Sequence, residues 1–302
     1  MSEPLVEVLM STYNGAPYVR EQVESVLAQS HRTLRLLVRD DGSTDDTAAI
    51  LRTIADPRVE IREGDNLGLP DAFFRLVDES SDDAVFWSLC DQDDVWEPDK
   101  LSRAVAALEL HADRPALYCA RVLVVDEHLN PLYPHELPQR GPSFANALVQ
   151  NIALGCTVVL NRPARDLLRG RWPRECVMHD AWMYLVIAGT GTVVYDEQLV
   201  VRYRQHGRNS VGMGRGPASR LAGRVRRQLS PGGPRKHSRQ DRELLRLFGA
   251  ELSPQALRQL QDLLGAASSP VRRTAYAFRG PAHRQSHGSD LVLKLLQVLG
   301  RV

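Results

Sequence analysis

Between residues 5 and 204, short apolar runs alternate with longer segments whose apolar residues recur every three or four positions. That alternation restricts the chain to an α/β architecture: a mainly parallel sheet with helices on both faces. The apolar runs predict strands over 5–12, 34–39, 59–62, 85–90, 117–125, 157–161, 192–195 and 199–204. The periodic segments predict helices over 16–29, 44–55, 70–79, 98–111 and 180–188. Val19, Val23, Val26 and Leu27 share one helical face, and Leu101, Val105 and Leu108 share another. Ser43 or Thr44 suits a helix cap, with Asp45 and Asp46 in the first turn.

Past residue 212 the pattern changes. Gly- and Pro-rich loops at 212–217 and 230–234 separate helical segments predicted at 218–229, 238–250, 254–265, 270–278 and 289–299, with no strand signal. Charge marks the same boundary. Residues 1–212 hold 21 Lys and Arg against 32 Asp and Glu, while residues 213–302 hold 17 against 5, so a formal net charge of +1 conceals an acidic part and a basic part. We therefore expect a domain over 1–212 and a basic helical region over 213–302.

Composition closes off several classes. Hydrophobic residues at 43% and charged residues at 25% exclude a disordered or disulfide-framework chain. Cys90, Cys119, Cys156 and Cys176 lie far apart with no C-x-x-C pair, which argues for reduced thiols. The opening MSEPLVEVLM lacks the basic and apolar regions of a signal peptide. The uncharged run 181–195 is too short to span a bilayer and is broken by Gly189 and Gly191. The expectation is a cytoplasmic protein, either free or peripheral on the inner face of the cell membrane. Gly189-Thr190-Gly191 precedes its strand, so it is no dinucleotide loop. The Arg-rich 220–242 stretch lacks interleaved aromatics, so nucleic acid is not an expected partner.

Ligands of such sheets bind outside the carboxyl ends of the strands, and polar residues cluster there. The first strand ends in Ser11-Thr12-Tyr13-Asn14-Gly15, the second in Asp40-Asp41-Gly42-Ser43, and the 85–90 strand in Asp91-Gln92-Asp93-Asp94. If the chain stays extended through the last cluster, Asp91 and Asp93 point the same way. Two converging carboxylates suit a hard divalent cation, Mg²⁺ or Mn²⁺, shared with a diphosphate. A carboxylate at the second strand end can accept the N3–H of uracil or thymine, and the cap would leave Asp41 free to do so.

These motifs, with Asn66-Leu67-Gly68 and Asp91-Gln92-Asp93-Asp94-Val95-Trp96-Glu97-Pro98, resemble family-2 inverting glycosyltransferases of the GT-A fold over roughly residues 5–210. The acidic motif and Tyr203-Arg204-Gln205-His206-Gly207 are most similar to bacterial rhamnosyltransferase-like members that build surface polysaccharides. The resemblance implies that Thr12, Tyr13 and Asn14 line the nucleotide pocket and that Asp41, secondarily Asp40, binds the pyrimidine. It places Asn66 against base or ribose, and Asp91 and Gln92 on the donor side. Asp93 becomes the principal metal carboxylate, with Asp91 towards ribose or metal-bound water. His206 contacts metal or diphosphate, and the Arg204/His206/Arg208 run suggests diphosphate.

The family's general base is the Asp of a Glu-Asp pair. Here His179 replaces the Glu and Asp180 keeps the Asp, which otherwise would serve as a helix cap. The implied reaction moves a sugar from a UDP- or dTDP-sugar to a hydroxyl of a glycan or lipid-linked acceptor. Two other readings are a sugar nucleotidyltransferase and a non-catalytic carbohydrate-binding protein of the same fold. The first would need a Gly-rich, basic phosphate loop after strand one, where Thr12-Tyr13-Asn14-Gly15 stands. The terminal segment 289–302 carries Leu291, Leu295, Val298 and Leu299 with Lys294 and Arg301 alongside. That face suits an anionic membrane surface or packing on the rest of the protein.

Overall fold

A computed structural model describes residues 3–207 and 233–301. The predicted boundary at 212, the predicted helix over 218–229 and Arg208 lie outside the described residues. The elements in order are β1 (Val6–Thr12), α1 (Val19–Leu27), β2 (Leu34–Asp40), α2 (Thr47–Arg52), β3 (Val59–Glu63), α3 (Asp71–Glu79), β4 (Phe86–Cys90), β5 (Val95–Trp96) and α4 (Lys100–Glu109). Then come β6 (Ala116–Val125), β7 (Pro131–Pro134), α5 (Phe144–Ala147), a 3-10 turn (Gly155–Thr157), β8 (Val159–Asn161), α6 (Arg162–Leu168), α7 (His179–Thr190) and β9 (Thr192–Arg204). Among the remaining described residues four helices follow: α8 (Gly233–Phe248), α9 (Pro254–Ala266), α10 (Pro270–Arg279) and α11 (His287–Val298).

The strands form one sheet in the order β3-β2-β1-β4-β8-β6-β9-β5, with β7 added to β6. Strands β3, β2, β1 and β4 run parallel, and β6 and β9 run parallel. Strand β8 is antiparallel to both of its neighbours, β4 and β6. The α/β expectation holds: a mostly parallel sheet with helices on both faces. Parallel strands buried on both faces need continuous apolar runs, and β1 and β4 are buried almost throughout.

Two cores follow. On one face Val19, Val23 and Val26 of α1 and Leu101, Ala104 and Leu108 of α4 pack on Val8, Met10, Leu36 and Tyr118. On the other, α3, α5, α6 and α7 cover Leu9, Leu37, Trp87 and Leu117. Helix α7 is buried all round, from His179 to Ile187, because α8 and α9 lie behind it. Trp182 meets Phe248 with ring centroids 5.9 Å apart, and the Ser253 amide donates to the Gly189 carbonyl at 3.0 Å. Leu244, Phe248, Leu260 and Leu293 of the C-terminal helices thus belong to the same core as the sheet. Full burial of side chains of this size stabilises by about 1.5–3 kcal/mol each.

Several local expectations shift. The strands predicted at 192–195 and 199–204 are one strand, β9, whose pairing with β6 is irregular at Ala120–Val122. Helix α2 begins at Thr47, not Thr44, because the Ser43 hydroxyl accepts the Asn14 amide instead of capping. Among the described residues no disulfide joins the cysteines, and Cys90, Cys119 and Cys156 are buried.

Candidate active site

The carboxyl ends of β1, β2 and β4 lie side by side, since Thr12 pairs with Asp40 and Met10 with Cys90. Their loops are tied together by side chains. The Gln92 amide accepts from the Tyr13 N–H at 2.8 Å and donates to the Tyr13 carbonyl at 3.1 Å. Gly15 permits this approach: a Cβ there would sit 2.3 Å from Gln92 Oε1. Gln92 is therefore a brace for the Tyr13 loop. Gly15→Ala is expected to break both bonds and destabilise by about 1–2 kcal/mol. Thermal denaturation checks this, and an unchanged midpoint would refute the brace.

Tyr13 is half exposed at the rim. Asn14 takes a positive φ of 51°, and its side-chain oxygen accepts the Thr44 amide at 2.8 Å. Thr12 donates to Asp40 Oδ1 at 3.1 Å, and Ser43 donates to the same oxygen. Asp40 Oδ2 has no hydrogen-bond partner among the described residues.

Asp41 is not free, contrary to the expectation from sequence. It is buried, and its carboxylate accepts the Leu67 amide at 3.0 Å, the Gly68 amide at 2.8 Å and Arg39 Nε at 3.2 Å. It anchors the loop that carries exposed Asn66. Gly42, at φ +78°, brings Asn66 alongside, since a Cβ there would lie 3.1 Å from the Asn66 nitrogen.

The acidic cluster does not continue the strand. The chain bends at Gln92 and Asp93 before β5. Asp93 Oδ2 lies 2.7 Å from His206 Nε2, and the His206 ring stacks on Tyr18 with centroids 4.7 Å apart. Burial, then the charges of Asp93 and Asp180, push the Asp91 carboxyl up to about 7. Asp94 turns inward, fully buried, and accepts the Arg204 amide at 2.9 Å. Asp91, Asp94 and the Cys156 thiol gather within 4.8 Å. Burial holds Asp94 and Cys156 towards their neutral forms, so those two form the floor of the cluster. Asp91 and the Asp93–His206 pair, each partly exposed, are the remaining candidate donors. Carboxylates gathered this closely fit a divalent cation.

Arg204 is not a diphosphate contact. It is buried and spent on the protein: Nε donates to the Asp93 carbonyl at 2.7 Å, Nη1 to the Glu127 carbonyl at 2.6 Å, and Nη2 to Glu21. It fixes the acidic loop from below.

Asp180 sits in the first turn of α7, where Met178 holds the cap position, so Asp180 is not the helix cap. Its carboxylate accepts the Gly155 amide at 3.1 Å and the Ala181 amide at 2.7 Å. Burial pushes its carboxyl up to about 6, against the lowering effect of bonds from Ala181, Asn151 and Gly155. Its charge contributes to raising the Asp91 carboxyl. His179 is buried, stacks on Phe73 at 4.0 Å and is held neutral by burial, its pKa lowered to about 3.

Sequence reasoning missed Tyr18, Asn151, Gly155 and Lys100. Lys100 is fully buried behind the site, its Nζ 2.8 Å from Ser88 Oγ and 3.3 Å above the Trp96 ring. Burial lowers its pKa to about 7. Its only sequence signal is a Lys where an apolar helical face would continue.

A parallel sheet whose carboxyl edge joins a bound loop, buried carboxylates and an acidic cluster defines the GT-A class of nucleotide-binding folds. Solved structures share that fold: S. aureus TarS in complex with UDP-GlcNAc superposes with a TM-score of 0.59 at 15% identity, covering 98% of this chain and 81% of that one. The mannosyltransferase PcManGT from Pyrobaculum calidifontis, in complex with GDP-Man and Mn²⁺, gives 0.52 at 18% identity, covering 98% and 87%. Residues 7–167 match the family model described as Glycosyl transferase family 2, and the chain belongs to that family. An uncharacterized glycosyltransferase of Rickettsia prowazekii is 24% identical over 210 residues, 67% of this chain but 64% of that protein. The dTDP-rhamnosyl transferase RfbG of Shigella flexneri is 25% identical over 222 residues, covering 67% of this chain and 73% of its own.

Proposed function

We propose that this protein transfers a sugar, with rhamnose as the first choice, from a UDP- or dTDP-sugar to a hydroxyl of a glycan or lipid-linked acceptor during surface-polysaccharide assembly. The observation that carries the reading is the set of carboxylates at the carboxyl edge of β4: Asp91 raised by burial and by the charges of Asp93 and Asp180, with Asp93 paired to His206 at 2.7 Å. RfbG supports the rhamnosyl choice by its name, and PcManGT supports a divalent metal. The catalytic unit of this reading is residues 1–212, and of the basic region 213–302 the helices α8 and α9 back α7.

The base pocket is assigned to Thr12, Tyr13, Asn14, Asn66 and Asp40. Asp40 replaces Asp41 as the acceptor for the pyrimidine N3–H, because only Asp40 keeps an oxygen without a partner among the described residues. Asp91, Asp93 and His206 would hold Mg²⁺ or Mn²⁺, which when bound neutralises the diphosphate and eases its departure. Asp180 takes the proton of the acceptor hydroxyl while that oxygen attacks the anomeric carbon from the face opposite the diphosphate. The new glycosidic bond forms as the bond to the diphosphate breaks, and the configuration inverts.

Thermal denaturation with UDP, dTDP, CDP and GDP, each with and without Mn²⁺, tests the donor assignment. UDP or dTDP at 100 times its dissociation constant is expected to add about 2.7 kcal/mol, and Mn²⁺ to enlarge the shift. Equal shifts with GDP, or none with metal, would remove the pyrimidine and metal assignments.

A further inference from the structure

Helices α10 and α11 form an antiparallel hairpin, joined by residues 280–286 and packed so that Gly300 lies against the Arg273 guanidinium. Its outer surface is unusual in this molecule. Among the described residues, six large apolar side chains are more than half exposed, and five of them lie here: Val271 at 79%, Phe278 at 72%, Leu291 at 71%, Leu295 at 59% and Leu299 at 60%. The spacing is helical. Val271 and Phe278 are two turns apart, while Leu291, Leu295 and Leu299 follow one another at four-residue steps. Leu293 and Leu296 supply the inward face, which is buried. Packing on the core and outward exposure are thus both met in α11, by different leucines. Val298, grouped with the stripe on sequence, is only partly exposed.

Basic residues border the stripe. Arg272 and Arg279 each follow an exposed apolar residue, Lys294 lies one turn from Leu291, and Arg301 is exposed past the helix end. The acidic side chain in 270–301 is Asp290 alone. It is buried, accepts the Arg284 amide at 2.9 Å and lies 3.7 Å from Arg140 and 3.9 Å from Lys294. The outer face therefore presents apolar and cationic groups with no exposed acid. A second copy of the same face would oppose its positive charges, whereas an anionic bilayer offers an apolar interior and phosphates together. No helix among the described residues is long and apolar enough to cross a membrane.

We propose that the outer face of the α10–α11 hairpin is a docking surface for an anionic lipid bilayer: the five apolar side chains enter the headgroup boundary and the Arg and Lys side chains meet lipid phosphates. The proposal stands on this surface and not on the donor reading, and lipid binding and sugar transfer are measured separately. Each basic side chain near an anionic surface is worth about fivefold in partitioning, so the four bordering ones give reversible attachment.

The test is flotation of the full chain with phosphatidylcholine vesicles and with vesicles that also contain phosphatidylglycerol, at low and high salt. Binding is expected only with the anionic lipid, weakened by salt. The double variant Leu291→Ser, Leu295→Ser is expected to lose about tenfold in partitioning or more. Both residues are exposed, so its melting temperature and nucleotide-induced shift should match wild type. No binding to anionic vesicles, binding that ignores lipid charge, or wild-type partitioning of the double variant would overturn the proposal. So would a soluble dimer that the double variant dissociates.

Discussion

Replacing Asp180 by asparagine leaves nucleotide binding near wild type and lowers turnover by about 10²–10⁴-fold. Asparagine matches the size of aspartate but has one acceptor oxygen, so it can keep the Ala181 amide or the Gly155 amide and not both, and a melting curve of the variant checks that the start of α7 holds. What it loses is a site for the acceptor proton. The pH profile adds a second reading of the same group. With its carboxyl pushed up to about 6, Asp180 is the working base only when ionised. With saturating Mn²⁺ to keep Asp91 ionised, the rate should therefore be flat well above pH 6 and fall about tenfold per unit below it. The Asp180→Asn variant should show no such limb. Near wild-type turnover in the variant would move the base elsewhere, and steady-state kinetics with a calorimetric check of nucleotide binding decides.

Asp93→Asn is expected to lower turnover by about 10²–10³-fold and to abolish the Mn²⁺-dependent part of nucleotide stabilisation. The side chain is nearly buried and faces His206 at 2.7 Å, and asparagine can keep that contact while giving up a charge. The loss should therefore appear as a shifted metal requirement rather than as unfolding. Titrating Mn²⁺ against turnover in both proteins reads it. An unchanged metal requirement would mean that Asp93 only orients His206.

Much of the sheet was legible because buried parallel strands must be continuously apolar. Runs such as Val6–Met10 and Phe86–Cys90 allow little else. The carboxyl-edge rule then pointed to loops that the sheet places side by side. Helix α6 was missed although it carried its own signal: Asn161 accepts the Ala164 amide as a cap, with Pro163 in the first turn. Strands β5 and β7 are two and four residues long, below the length at which a period can be read.

The site was legible in residue type but not in partner. Asp41 and Arg204 look free in sequence because their bonds run to loops far along the chain, at Leu67 and Gly68 for one and at Asp93 and Glu127 for the other. Gln92 has the same history: its amide closes on a backbone 79 residues away. Conversely, the pairing of Asp93 with His206, 113 residues apart, makes one unit of two motifs that sequence placed at separate strand ends.

The central claim is a single displacement in which Asp180 serves as base and no carboxylate attacks the sugar. The measurement that tests it most directly is the anomeric configuration of the newly formed bond, read by proton NMR on product made from the donor giving the largest thermal shift. Inversion at the anomeric carbon is the predicted result. Retention of the donor's configuration would contradict the account, because it requires a second displacement or a front-face attack, neither of which uses Asp180 as the base assigned here.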